Sequence, residues 1–288
     1  MKSGFVSIFG RPNAGKSTLL NALTGEKLAI VSHKSQTTRH RIRTFLNGPG
    51  YQVVLSDTPG IIEPEYRLHE RMMQAVRSGL EDADLALLLV DVRRPLEESD
   101  GVFTALKLKV PALVVLNKSD AVPSARVGEA EEYFRARPYC RGIVRISALR
   151  RENLRALLDA MLAMLPEGEP FFPEDDLTDM PTRFFVGEIV REKIFELLEE
   201  ELPYQSTVSV VAFREGPTVG IKAEIVVQRE TQKAIVIGEG GRMIRELGTR
   251  ARRDIEAFLG RKVFLELFVK VRPGWRDSDA HLREYGYR

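Results

Sequence analysis

The chain has 288 residues, which suggests two domains, and 43% of them are hydrophobic, enough for ordinary cores. Its 43 basic and 41 acidic side chains leave a formal charge of only +2, so a nucleic-acid surface would have to be a local patch and not the whole exterior. Cys140 is the only cysteine, which excludes an intramolecular disulfide. Apolar runs such as Leu85 to Val90 are far too short for a membrane span, and Gly10-Arg11-Pro12 interrupts the N-terminal stretch too soon for a signal-peptide core, so a soluble cytoplasmic protein is expected.

In chain order, Phe5 to Phe9 reads as a buried strand and Thr18 to Leu23 as a helix, with a glycine-rich turn between them. Residues 41–47 form a candidate edge strand. Apolar runs at 53–55, 85–90, 112–116 and 143–146 then alternate with helical stretches at 66–80, 99–108, 124–135 and 152–165. Strands buried on both faces and separated by helices predict an α/β domain with a mostly parallel sheet covered by helices over 1–165. Residues 166–182 carry four prolines and six acidic side chains without apolar period, and read as an acidic linker. A different rhythm follows over 183–288. It comprises an amphipathic helix at 184–201, strands at 207–213 and 219–227, a short strand at 234–237, a helix at 242–258 and a last strand at 263–271. This is the pattern of a smaller α+β domain.

Gly10-Arg11-Pro12-Asn13-Ala14-Gly15-Lys16-Ser17 sits between the first strand and helix, the context in which this spacing forms a phosphate-binding loop. Its backbone N–H groups and the helix N-terminus would cradle phosphates. Lys16 would meet the β/γ-phosphates and Ser17 would offer a hydroxyl to Mg²⁺. Ala14, Gly15 and Thr18 complete the expected phosphate contacts. Asp57-Thr58-Pro59-Gly60 would serve as an ordinary turn alone. After such a loop, Asp57 becomes a Mg²⁺ partner through water, and the Gly60 N–H a γ-phosphate contact. Asn117-Lys118-Ser119-Asp120 closes a strand at its carboxyl end, where α/β sheets bind ligands. An ionised Asp120 pairs with guanine N1–H and its exocyclic amine, whereas adenine would leave that carboxylate unpaired. Lys118 can lie along the base, Asn117 can bridge base and loop, and Ser147-Ala148-Leu149 can bring backbone N–H groups to guanine O6. Between the first two motifs, Thr38 is the first choice for a switch threonine meeting Mg²⁺ and the γ-phosphate, with Thr37 second. GTP or GDP with Mg²⁺ is therefore the expected ligand. Ile61 and Ile62 follow Gly60 and cannot orient a water through their side chains, so hydrolysis is expected to be slow unaided.

In the second half, Gly238-Glu239-Gly240-Gly241 has the spacing of a KH-domain GxxG loop, which clamps a single-stranded nucleic-acid backbone. Arg242 and Arg245 follow it off the apolar stripe. From 238 to 276 there are ten Lys/Arg against five Asp/Glu, so positive charge gathers around the loop. Glu239 departs from the basic residue usual there and would oppose a phosphate.

These segments resemble the Era family of GTPases, in the order Gly10 to Ser17, Gln36 to Arg41, Asp57 to Gly60, Asn117 to Asp120 and Ser147 to Leu149. Phe172-Pro173-Glu174-Asp175 and the Arg272-Pro273-Gly274-Trp275 tail, which GTP binding does not require, extend the likeness over essentially the whole chain. The resemblance implies a P-loop GTPase domain followed by a type II KH-like domain. It also implies binding of the 3′ end of small-subunit ribosomal RNA, a role in assembly of the 30S ribosomal subunit, and a monomer with peripheral membrane association. It further implies that Lys16, Thr38, Gly60 and Asn13 serve hydrolysis, with Asn13 holding K⁺. Two other readings stay open: a constitutive RNA-binding scaffold with structural GTP, and an RNA-modification GTPase, for which no cysteine or cofactor motif speaks.

Overall fold

The computed structural model describes residues 1–34 and 36–287, which divide into two compact units. The first comprises Met1–Ala29, Thr38–Glu63 and Met72–Asp179. The second comprises Ile30–Thr37, Pro64–Arg71 and the chain from Met180 onward.

In the first unit β1 (Lys2–Gly10) leads through the phosphate-loop sequence into α1 (Lys16–Thr24). Then come β2 (Ile42–Gly48), β3 (Tyr51–Asp57), α2 (Arg67–Glu81, in this unit from Met72 on), β4 (Leu85–Asp91) and α3 (Leu96–Ala105). They are followed by β5 (Ala112–Asn117), α4 (Ser124–Arg135), β6 (Cys140–Arg145) and α5 (Leu154–Met164). The sheet order is β2-β3-β1-β4-β5-β6, parallel throughout except for the antiparallel edge strand β2. Leu85 to Val90 are fully buried, as both-face coverage demands of an unbroken apolar strand. Neighbours lie to either side of β1, so the loop after it opens at the topological switch point where such sheets bind ligands.

Residues 166–179, read above as the start of the linker, run from the start of β1, where Lys2 bridges Glu167, past β3 to β2. Gln52, fully buried, accepts from the Phe171 and Phe172 amides (2.6 and 3.0 Å) and donates to the Phe172 carbonyl (2.8 Å). Phe172 stacks on Phe45, ring centroids 3.9 Å apart, and Thr44 bridges Thr178 in antiparallel fashion. This segment is held by backbone pairing and two aromatic rings, neither of which needs an apolar period.

The second unit runs α6 (Thr182–Leu197), α7 (Leu202–Gln205), β7 (Thr207–Arg214), β8 (Thr218–Val227), α8 (Glu230–Ile237), α9 (Arg242–Leu259), β9 (Lys262–Val271) and α10 (Asp279–Glu284). Its sheet is β7-β8-β9, with β7 antiparallel and β9 parallel to β8. Val190, Ile194, Ile221, Ile225, Leu247, Ala251 and Ile255 centre the core. The sequence reading of 234–237 as a strand is corrected: these residues finish α8. The Gln232 side chain accepts from the Gln228 and Arg229 amides (2.9 and 3.2 Å), capping the helix, and Val236 is buried one turn on from Gln232. The glycine loop thus joins two helices, not a strand to a helix.

The long amphipathic helix predicted for 184–201 stops at Leu197, and it is buried almost all round from Phe185 to Phe195. Lys34 and Thr37 supply part of the extra cover. Lys34 Nζ donates to the Phe195 and Leu198 carbonyls (2.8 and 2.5 Å), placing a cation at the helix C-terminus. Arg191, 1% exposed, pairs with Glu188 and donates to the Thr37 carbonyl. In the tail, Trp275 is fully buried and its indole N–H donates to the Gln205 carbonyl (3.0 Å), so this residue is core.

Candidate functional site

The phosphate loop is shaped by backbone that only certain residues tolerate. Gly15 caps α1 at φ 101°, and a Cβ there would stand 2.3 Å from Asn117 Nδ2. Asn13 also adopts a positive φ, 62°. Lys16 is buried and its ammonium curls back onto the Gly10 and Arg11 carbonyls (3.2 and 3.1 Å). Burial pushes its pKa down to about 8, with the Asp57 carboxylate pulling the other way. Burial likewise pushes Asp57 up, opposed by Lys16, Ser17 and Thr38.

Three oxygens from three distant segments converge beside Lys16. Ser17 Oγ lies 2.8 Å from Thr38 Oγ1 and donates to Asp57 Oδ2 at 2.8 Å, and Thr38 Oγ1 donates to the same Oδ2 at 3.1 Å. All three residues are buried, and Asp57 Oδ1 is buried with no hydrogen-bond partner among the described residues. Two hydroxyls and a carboxylate with a spare oxygen are the hard donor set that Mg²⁺ takes. Thr38, and not Thr37, joins this group; Thr37 offers its carbonyl to Arg191. Thr58 Oγ1 donates to the Ile8 carbonyl (2.7 Å), pinning the turn after β3 to β1. Gly60 then stands so close to Pro12 that a Cβ would meet its ring at 3.0 Å. Thr18 sits half-buried in the first turn of α1.

At the other end, Asn117 Nδ2 donates to the Ala14 carbonyl (2.8 Å) and its Oδ1 accepts from the Ala148 amide (3.0 Å). One buried side chain therefore ties the phosphate loop to the Ser147–Leu149 segment. Lys118 holds a positive φ of 64°, and its ammonium reaches the Asn13 carbonyl (2.6 Å) and Asp91 (2.8 Å). Asp120 follows in a short 3-10 turn, with Arg150 Nε 3.2 Å from its carboxylate. The Ser147 hydroxyl accepts from the Arg150 amide (3.1 Å), while Leu149 is largely exposed. Asp91 and Arg150 escaped the sequence reading. The visible signal for Asp91 was an acidic residue ending a wholly apolar strand.

The GxxG segment spans a tight turn between α8 and α9. Gly238 has φ 72°, and a Cβ there would meet Met243 Cβ at 2.7 Å. The Gly241 amide donates to the Gly238 carbonyl (3.1 Å), and Gly240 lies between them also at positive φ. Glu239, Arg242 and Arg245 are exposed around it. No group of His, Cys, Asp and Glu able to hold a metal ion was found among the described residues, nor any helix long and apolar enough to cross a membrane.

A family model described as a 50S ribosome-binding GTPase matches residues 5–118, and a KH domain model matches 201–276. GTPase Era of Geobacter sp. (strain M21) is 45% identical over 290 residues, covering 99% of this chain and 98% of that protein. The chain belongs to the Era family. Within it, GTPase Era of Clostridium botulinum (strain Eklund 17B / Type B) is 41% identical over the full chain. A chloroplastic ERA-like GTPase of rice is 40% identical, the match covering 69% of its length. A crystal structure of an Aquifex aeolicus Era variant bound to GDP·AlF4⁻ superposes with TM-score 0.95 at 42% identity, covering 100% of this chain and 99% of that one. An Era complex with MgGDPNP and nucleotides 1506–1542 of 16S ribosomal RNA matches equally, at TM-score 0.95 and 42% identity. The Era fold, a P-loop GTPase domain with a KH domain after it, is thus the fold of this chain.

Proposed function

We propose that this chain is a GTP-hydrolysing switch that binds the 3′ end of small-subunit ribosomal RNA during assembly of the 30S subunit. The observation that carries the reading is the convergence of Ser17, Thr38 and Asp57 beside Lys16, with Asn117 joining the phosphate loop to the base end. Family membership and the RNA in the relative's complex support the rest.

In this reading the loop amides and Lys16 bind the phosphates, and Asp120 selects guanine through two hydrogen bonds. Ser17 and Thr38 hydroxyls, with Asp57 through water, would hold Mg²⁺, which when bound neutralises phosphate charge. The MgGDPNP in the relative supports that assignment. Thr38 and Gly60 respond to the γ-phosphate, one through its hydroxyl and the other through its N–H. The Gly238–Gly241 turn offers backbone amides to the RNA chain, and Arg242 and Arg245 add charge; Glu239 works against it.

RNA affinity measured in nucleotide-free, GDP and GTP-analogue states tests the switch. Affinity that depends on the nucleotide supports it, and equal affinity in all three would favour the constitutive scaffold. Asn13 is our candidate K⁺ ligand: turnover should be faster in K⁺ than in Na⁺ buffer, and equal rates unaffected by Asn13→Ala would end that assignment. Monomeric state and peripheral attachment to the inner face of the cell membrane extend the proposal, tested by sedimentation and vesicle flotation.

A further inference from the structure

We propose that Asp91 is a positioning residue for guanine nucleotide binding, acting by holding the Lys118 side chain taut along the base pocket. The inference rests on the reading of that pocket given above.

Strand β4 is apolar until its last residue. Leu85 to Val90 are fully buried, and Asp91 then brings a carboxylate, only 8% exposed, to the carboxyl edge of the sheet, in register with Asn117 on β5. Every lone pair it offers is used. Oδ2 accepts from Lys118 Nζ (2.8 Å) and Arg93 Nη2 (2.8 Å), and Oδ1 accepts from Arg93 Nε (2.9 Å) and the Arg93 amide (3.1 Å). Arg93 closes the turn after the strand. The Lys118 contact does something else, because Lys118 belongs to the next motif along the sheet.

Lys118 is fixed at three points. Its backbone sits in the left-handed region (φ 64°, ψ 31°), its ammonium donates to the Asn13 carbonyl (2.6 Å), and the same ammonium donates to Asp91 (2.8 Å). The stem between is drawn past the phosphate loop, its Cε lying 3.9 Å from where a Cβ on Gly15 would stand. A lysine side chain free in water has many rotamers, and each binding event would have to order it. Held in advance, the methylenes present an apolar strip to a purine face without that cost. The Asn13 carbonyl is a neutral acceptor; Asp91 is the charged one, and charge-assisted bonds are the stronger.

The strip touches any purine face alike, whereas Asp120 reads the guanine edge. That difference defines the test. GDP and inosine diphosphate, which lacks the exocyclic amine, are titrated calorimetrically into the full chain as native protein, Asp91→Ala, Lys118→Ala and the double variant. Arg93→Ala serves as a control for the turn. Asp91→Ala should weaken both nucleotides by the same factor, about tenfold. The double variant should bind no more weakly than Lys118→Ala alone, and Arg93→Ala should change affinity less than about twofold. If Asp91→Ala fails to fold, Asp91→Asn in the same cycle should show the same non-additivity with a smaller loss. Equal binding by the native and Asp91 variants would overturn the proposal. So would a loss that persists undiminished in the Lys118→Ala background, which would make Asp91 merely structural. A native chain that takes up no GDP would instead overturn the reading of the pocket, and this inference with it.

Discussion

Asn117→Ala should be costly beyond its size. The side chain is 2% exposed, and its amide makes two bonds between segments far apart in sequence, to the Ala14 carbonyl (2.8 Å) and from the Ala148 amide (3.0 Å). Truncation strands both partners in a buried site. Each stranded group costs about 1–3 kcal/mol, so a loss of about 2–6 kcal/mol is expected for the first unit. The Ala148 amide reports the event directly. Its hydrogen exchange should speed up by roughly thirtyfold or more, together with a lower urea midpoint of the first unit and GDP binding at least about tenfold weaker. Asn117→Asp keeps an acceptor for Ala148 but sets a second acceptor against the Ala14 carbonyl, so at neutral pH it should do no better than alanine. A stability loss below about 0.5 kcal/mol, the range of ordinary surface substitutions, with unchanged exchange at Ala148, would refute the argument that this amide braces the pocket.

Three further outcomes follow from the site. Lys16, pushed down to about 8 by burial, must be charged to meet phosphate. Its pKa rises when phosphates arrive, so binding takes up a proton where the free protein has lost it. GDP affinity should hold below about pH 8 and fall by up to about tenfold per pH unit above it, with proton uptake seen by calorimetry in buffers of different ionisation enthalpy; a flat profile to about pH 9.5 refutes this. Thr38→Ala should weaken Mg²⁺-dependent binding of a GTP analogue about tenfold relative to GDP, while Thr37→Ala, whose described bond to Arg191 is through its carbonyl, should change it less than about twofold. Glu239→Lys should tighten RNA binding and steepen its salt dependence; no change, or weakening, would argue that this turn does not meet phosphate.

Wholly apolar strands and the phosphate and base motifs were legible because each carries its constraint locally. A run such as Leu85 to Val90 can only be buried, and Gly10 to Ser17 makes its cradle from its own backbone. Thr38 against Thr37 was not decidable locally, because both carry a hydroxyl; the choice is made by which one the backbone turns toward Ser17 and Asp57. Residues 234–237 misled because four apolar or β-branched residues suit a strand or the last turn of a helix equally. The cap that decides lies upstream, at Gln232. Helix α6 misled for the opposite reason. An amphipathic helix should leave its charged residues in water, yet Arg191, Glu192 and Lys193 are buried, with Arg191 donating to the Thr37 carbonyl and Lys193 2.7 Å from Asp254 of α9. Asp91 stayed hidden because its partner lies 27 positions away and is brought near only by the pairing of β4 with β5.

The same site argues where rate acceleration has to originate. Asp57, the one carboxylate in the trio, accepts from Ser17 and Thr38 on Oδ2, and its spare Oδ1 is the oxygen we propose for the Mg²⁺ shell, not for a base. After Gly60 come Ile61 and Ile62, and Ile61 contributes only a backbone amide facing the Gly10 carbonyl at 3.5 Å. Lys16, Ser17 and Thr38 can bind and orient charge, but none of them is placed as an acceptor for a water's proton. We expect transition-state charge to be met by backbone donors and the divalent cation, with a further positive group added to them. A cation beside Asn13 or a partner's side chain would fill that need, and the K⁺ against Na⁺ comparison separates them: a monovalent cation acts on the purified chain alone, whereas a partner leaves its turnover slow in both buffers.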